Sequence, residues 1–199
     1  IAEWAMPGTE QRTVAVRASQ TLIVNCVTLG ESGRCAWPTD FVVVGTNDGT
    51  AHLNLRGVTV PYHAKHGDGG VIATSGDAQL HVDNSSFSRN RVSGQGGVVY
   101  AGGGSLTITG SALANSTALT GGALYAIGVT LIVAGSTLAN NTASVHGAAI
   151  YAIGGTITIT SSTLSGNRML YIRPGLHMLY TVPAQSHGGA VCVNGGGTV

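Results

Sequence analysis

Carboxylates are the side chains best suited to acid–base or metal chemistry in this chain. All eight of them (Glu3, Glu10, Glu31, Asp40, Asp48, Asp68, Asp77 and Asp83) fall within the first 83 of 199 residues. A pair of carboxylates can cleave a glycosidic bond, and carboxylate oxygens can hold Ca²⁺. Asp48 and Asp77 are the best-spaced pair, each just ahead of a strand-like segment. Both lie in turn sequences, Thr46–Asn47–Asp48–Gly49 and Ser75–Gly76–Asp77, where Asp reads as a solvated turn residue. No catalytic residue is assigned. His146 and His187 each precede a glycine-pair position, but two imidazoles fall short of the three or four ligands a metal wants. No metal and no cofactor are expected. Cys26 and Cys35 are close enough to bridge a short excursion in an oxidising compartment, and their spacing alone leaves that pairing open. Cys192 is then left over.

Residues so scattered can act together only if something stacks them, and the glycines supply the period. Gly69–Gly70, Gly96–Gly97, Gly121–Gly122 and Gly147–Ala148 recur at 27, 25 and 26 residues, and Gly188–Gly189 follows after 41 because of an insertion. A second block recurs in phase: Leu80–His81–Val82, Leu106–Thr107–Ile108, Leu131–Ile132–Val133 and Ile157–Thr158–Ile159. Each alternates apolar and outward residues at period two, the strand signature. Weaker copies stand at Leu22–Ile23–Val24 and Leu53–Asn54–Leu55. A third block, Ser85–Ser86–Phe87, Ser111–Ala112–Leu113, Ser136–Thr137–Leu138 and Ser162–Thr163–Leu164, closes each unit. Three residues beyond its apolar position come Asn90, Ser116, Asn141 and Asn167.

Short strands of this kind cannot cover a sheet face alone. Stacked about 4.8 Å apart, they bury one continuous interior. The expected fold is all-β: a right-handed parallel β-helix with three strands per coil and about six to seven coils. Residues 1–40 are expected to form irregular N-terminal coils, and 41–199 the regular repeats, with an insertion at 169–187. Stacking turns Asn90, Ser116, Asn141 and Asn167 into a corner ladder of hydrogen-bonded side chains. It also aligns Tyr100, Tyr125 and Tyr151 in an aromatic column, continued by Cys192. If Leu124 and Ile150 point inward, these rings point outward. They then either stiffen the sheet or dock a sugar or protein.

The combination Gly-Gly-Ala-[Ile/Leu/Val] with Phe/Leu-x-x-Asn resembles the repeat of the chlamydial polymorphic outer-membrane proteins. It is also similar to repeats of secreted pectate-lyase-like β-helix proteins. The resemblance covers residues 69–193 well and 41–68 weakly, and 1–40 match poorly. Ala148 replaces the second glycine, Ser116 replaces the corner Asn, and Leu mostly replaces Phe. The resemblance implies a surface-exposed passenger or cell-wall module with adhesive or structural work.

Composition narrows the classes further. Charged residues are 9% of the chain against about 25% in ordinary soluble domains. Beyond Asp83 the only charged side chains are Arg89, Arg91, Arg168 and Arg173, too sparse for a nucleic-acid footprint. Apolar runs such as Tyr125–Ala134 are far shorter than the roughly 20 residues of a membrane helix. Solubility carried by Ser, Thr, Asn and Gly suits a secreted or surface protein. The absence of an initiating Met and the closing Gly197–Thr198–Val199 suggest an excerpt of a longer chain.

The remaining features point to contacts. The insertion carries Tyr171, Leu176, Met178 and Tyr180, an apolar loop that either folds onto the flank or meets a partner. Asn84, Asn115 and Asn140 begin glycosylation sequons. The expected function is a non-enzymatic extracellular β-solenoid with a structural, adhesive or assembly role. Its partner would be a surface protein or glycan, other copies of itself, or a larger assembly. A polysaccharide-degrading enzyme fragment is the rival. Ice binding is a minor third reading, because the outward pairs Thr107/Thr109 and Thr158/Thr160 are separated by Ile132/Ala134.

Overall fold

A computed structural model describes residues 13–16, 20–25, 40–44, 50–172, 179–182 and 189–194. These form a parallel β-solenoid of about five turns, with no helix among the described residues. Successive turns stack like on like. Leu80, Leu106, Leu131 and Ile157 pair in one column, and Val82, Ile108, Val133 and Ile159 in the next. The inward members of these columns are fully buried as far as Val133 and Ile157. With Leu53, Leu55, Phe87, Leu113, Leu124, Leu138 and Ile150 they form one core along the axis.

Each full turn contributes to four ladders, not the three expected. Ladder one contains Ile72–Ser75, Val99–Gly102, Leu124–Ile127 and Ile150–Ile153. Ladder two contains Gln79–Asp83, Ser105–Thr109, Thr130–Ala134 and Thr156–Thr160. Ladder three contains Ser86–Ser88, Ala112–Ala114, Thr137–Ala139 and Thr163–Ser165. The unforeseen ladder four contains Ala64–Lys65, Arg91–Val92, Thr117–Thr120, Thr142–His146 and Arg168–Ile172. Its strands follow the corner Asn and present a small inward set, chiefly Val92, Ala118, Ala143 and Met169. With at most one buried apolar residue per strand, the sequence carries little apolar alternation to read there. Among the described residues ladder one runs to seven strands and ladder two to six. Within 1–40, Thr13–Val16 joins ladder one and Thr21–Asn25 joins ladder two.

The expected insertion at 169–187 is described only at 169–172 and 179–182. Arg168–Ile172 continues ladder four in parallel with Thr142–His146. Leu179–Val182 then turns back and pairs antiparallel with it, Met169 opposite Val182 and Tyr171 opposite Tyr180. Ladder one resumes at Val191–Asn194, in register with Ile150–Ile153. Leu176 and Met178 lie outside the described residues.

Two glycines per turn have separate causes. Gly69, Gly96, Gly121 and Gly147 hold φ of 57° to 68°, the left-handed region that favours glycine. The second glycine permits close stacking. A Cβ on Gly97 would lie 2.1 Å from Gly122 O, and one on Gly122 would lie 2.1 Å from Ala148 O.

Candidate functional site

The strongest polar constructions are two ladders buried inside the corners. In the first, Ser111 N–H donates to Ser136 Oγ at 3.1 Å, and Ser136 N–H donates to Ser162 Oγ at 3.1 Å. Ser85 N–H donates likewise to Ser111 Oγ at 3.0 Å. Each hydroxyl in turn donates to the carbonyl two residues back, as Ser111 does to Thr109 O at 2.7 Å. Every serine thus accepts from one turn while donating within its own. These serines stood in the repeat alignment, but nothing in their spacing marks a hydroxyl as a ladder member.

The second ladder is the corner expected at Asn90, Ser116, Asn141 and Asn167. Asn141 N–H donates to Asn167 Oδ1 at 2.9 Å, and Ser116 N–H donates to Asn141 Oδ1 at 3.0 Å. The amides also donate across, Asn141 Nδ2 to Leu113 O at 2.9 Å and Asn167 Nδ2 to Leu138 O at 2.8 Å. Asn141 Nδ2 lies 3.1 Å from Asn167 Oδ1 as well. Ser116 breaks the run. Its hydroxyl turns to Ala114 O at 3.3 Å, and both amide atoms of the fully buried Asn90 have no hydrogen-bond partner.

Tyr100, Tyr125 and Tyr151 are brought together on ladder one. Their centroids are 5.3 and 5.5 Å apart, with the first pair stacked nearly parallel at 7°. His146 stacks on Tyr151 at 5.4 Å and 19°. Leu124 and Ile150 point inward as the outward placement required, yet Tyr125 and Tyr151 are only 6% and 7% exposed. The column therefore stiffens the sheet and offers little ring surface for docking. Burial, with Tyr100, Tyr151 and Asp68 near it, raises the Tyr125 phenol above its usual 10.0. Cys192, free and level with Tyr151, has its thiol raised by burial.

The acidic residues are drawn into the frame. Asp83 Oδ2 meets Arg56 Nε at 3.2 Å and its Oδ1 accepts from Thr109 Oγ1 at 2.9 Å. Asp68 Oδ1 accepts Gln95 N–H at 2.7 Å. Asp77 is exposed in its turn. Asp48, His187, Cys26 and Cys35 lie outside the described residues. No group of three or more His, Cys, Asp or Glu side chains with metal-binding geometry occurs among the described residues.

Asn84, Asn115 and Asn140 are exposed, as sequons must be. Each also has positive φ, 45°, 56° and 55°, a conformation Asn tolerates better than most residues. Glycines fill the same corner places elsewhere: Gly110 and Gly135 in the Asn84 column, Gly166 in the Asn140 column. Corner geometry thus accounts for these asparagines without a glycan. The outward face of ladder two carries Ser105, Thr107 and Thr109, then Thr130, Ile132 and Ala134, then Thr156, Thr158 and Thr160. Ile132, 37% exposed, interrupts the hydroxyls.

One open groove, of about 480 Å³, lies along ladder four. Lys65, His66 and Arg91 line it together with Ser93, Thr117 and Ser144. It was missed in the sequence because its residues come from four separate turns.

These features define a parallel β-solenoid whose buried polar side chains run in ladders along the axis. Residues 84–102 match the family model described as the Chlamydia polymorphic membrane protein repeat. That segment holds the one turn with both Phe87-x-x-Asn90 and an intact Gly96–Gly97. No curated protein and no solved structure matches the chain.

Proposed function

We propose that this chain is a surface-displayed β-solenoid, a rigid module with a structural, adhesive or assembly role and no enzymatic activity. The supporting observation is where its polar groups go. The side chains of Ser111, Ser136, Asn141 and Asn167 inside the corners bond to neighbouring turns, and Asp68 and Asp83 bond to the frame. What is left outward is a set of flat columns. The matched repeat comes from a family described as membrane proteins, which supports placement at a cell surface. Right-handed winding belongs to this reading, because parallel crossover connections take that hand in about 98% of cases.

Two measurements test it. Beads coated with the protein should attach to a cell or matrix surface, or the protein should self-associate by light scattering; failure of both overturns the reading. Incubation with polyuronides should release no reducing or unsaturated ends. Release that disappears in Asp48→Asn or Asp77→Asn would establish the carbohydrate-degrading enzyme instead.

A further inference from the structure

We infer that the corner between Asn90 and Ser116 is a binding site for a single buried water molecule, which does there what an asparagine carbonyl oxygen does in the turns above. This goes beyond the surface-module reading and does not depend on it.

The intact step of the ladder defines the task. Asn167 Oδ1 accepts two bonds from Asn141, one from its N–H at 2.9 Å and one from its Nδ2 at 3.1 Å. Asn90 has the same two donors, and the residue one turn above it is Ser116. Neither donor is met: Asn90 N–H and Nδ2 have no hydrogen-bond partner among the described residues. Asn90 and Ser116 are both 0% exposed, so bulk solvent does not reach the corner.

Size and chemistry then select the ligand. Ser116 carries a hydroxyl where Asn141 and Asn167 carry a carboxamide. The difference frees room on the scale of one water, whose share of the liquid is about 30 Å³. A water oxygen in that room accepts from Asn90 N–H and Nδ2. One of its hydrogens goes to Ser116 Oγ, which keeps its lone pairs because its own hydrogen is given to Ala114 O at 3.3 Å. Three bonds are the usual complement of a buried water, and cavities that stay dry are apolar. Two converging N–H donors exclude a metal cation. A buried halide would need a positive partner to offset its desolvation, and Arg91, next in the chain, is exposed. The water lowers the cost of burying the amide, but it is itself immobilised, so a direct carbonyl remains the better partner.

The test is a high-resolution crystal structure of the parent chain and of Ser116→Asn, with water-oxygen magnetic relaxation dispersion counting the long-lived waters of each in solution. The parent should show density for one water about 3 Å from Asn90 N, Asn90 Nδ2 and Ser116 Oγ. In Ser116→Asn the new carbonyl oxygen should take that place, and the count of long-lived waters should fall by about one. The inference is overturned if the parent shows no density there, if that density scatters anomalously after a bromide soak, or if the two proteins hold equal numbers of long-lived waters. Should Ser116→Asn fail to fold, the density in the parent decides alone.

Discussion

Asn90 and Ser116 occupy the same corner column one turn apart, and the serine leaves the asparagine's amide unpaired. In the turns beyond, Asn141 Nδ2 has Asn167 Oδ1 at 3.1 Å. Ser116 has no carbonyl oxygen to offer, and its hydroxyl is turned to Ala114 O. A buried amide without a hydrogen-bond partner carries its full desolvation cost. Ser116→Asn should restore the acceptor and raise stability by about 1 kcal/mol. Denaturant unfolding compares the two, and an unchanged or lower midpoint would refute the account.

The converse substitution is costlier. Asn141→Ala strips the partner from Ser116 N–H and from Leu113 O at once. A loss of about 3 kcal/mol is expected, because the amide contact with Asn167 Oδ1 goes as well, against about 2 kcal/mol for Ser111→Ala, which strips the partners of Ser85 N–H and Thr109 O. Similar losses at both sites would show that the amide ladder has no special weight.

How much of this was legible in the sequence depended on how loudly each column repeats. The Leu80–Leu106–Leu131–Ile157 column and the glycine pairs announced a stacked parallel solenoid, because identical demands on each turn select like residues. The corner asparagines were legible for the same reason. Ladder four was not, since Val92, Ala118, Ala143 and Met169 share size and polarity only loosely. The groove above it was equally silent: proximity of Lys65, Arg91 and Thr117 exists only after the turns are stacked. The burial of Tyr125 and Tyr151 was not legible either, because period two reports which face a side chain takes and not what covers that face.

Steric and conformational roles of glycine can be separated. Gly97→Ala drives a Cβ toward Gly122 O, so neighbouring turns must part, and a loss above about 2 kcal/mol is expected. Gly128→Ala meets nothing within 4 Å and bears only its φ of 61°, a cost near 1 kcal/mol. Thermal melts of the two variants should rank in that order.

Asn115 offers a parallel comparison. With φ at 56°, Asn115→Gly should be close to neutral, whereas Asn115→Ala should lose about 1 kcal/mol. Protein made in a host unable to glycosylate keeps this difference if the corner geometry explains the residue. A difference seen only in glycosylated protein would assign the position to its glycan.

Alkaline titration probes the aromatic column. The folded-state pKa of Tyr125 is raised above 10.0, mainly by burial. The neutral phenol is therefore favoured by folding, and its contribution is intact below pH 10.0 and disappears as pH rises through the folded value. Tyrosinate absorbance should show a phenol that ionises later than free tyrosine, and stability should decline over that interval. Tyr125→Phe should remove the late phase and make unfolding less sensitive to alkali while the stack persists.

The strand Leu179–Val182 runs the wrong way for the lane it occupies. A parallel stack has no intrinsic length, because each rim is a template for the next layer. One reversed segment supplies a stop on ladder four while ladder one passes on to Val191–Asn194. Among the described residues, ladder one thus reaches its last strand in parallel register and ladder four in reversed register, so the two lanes present strand edges of opposite polarity to whatever packs above them.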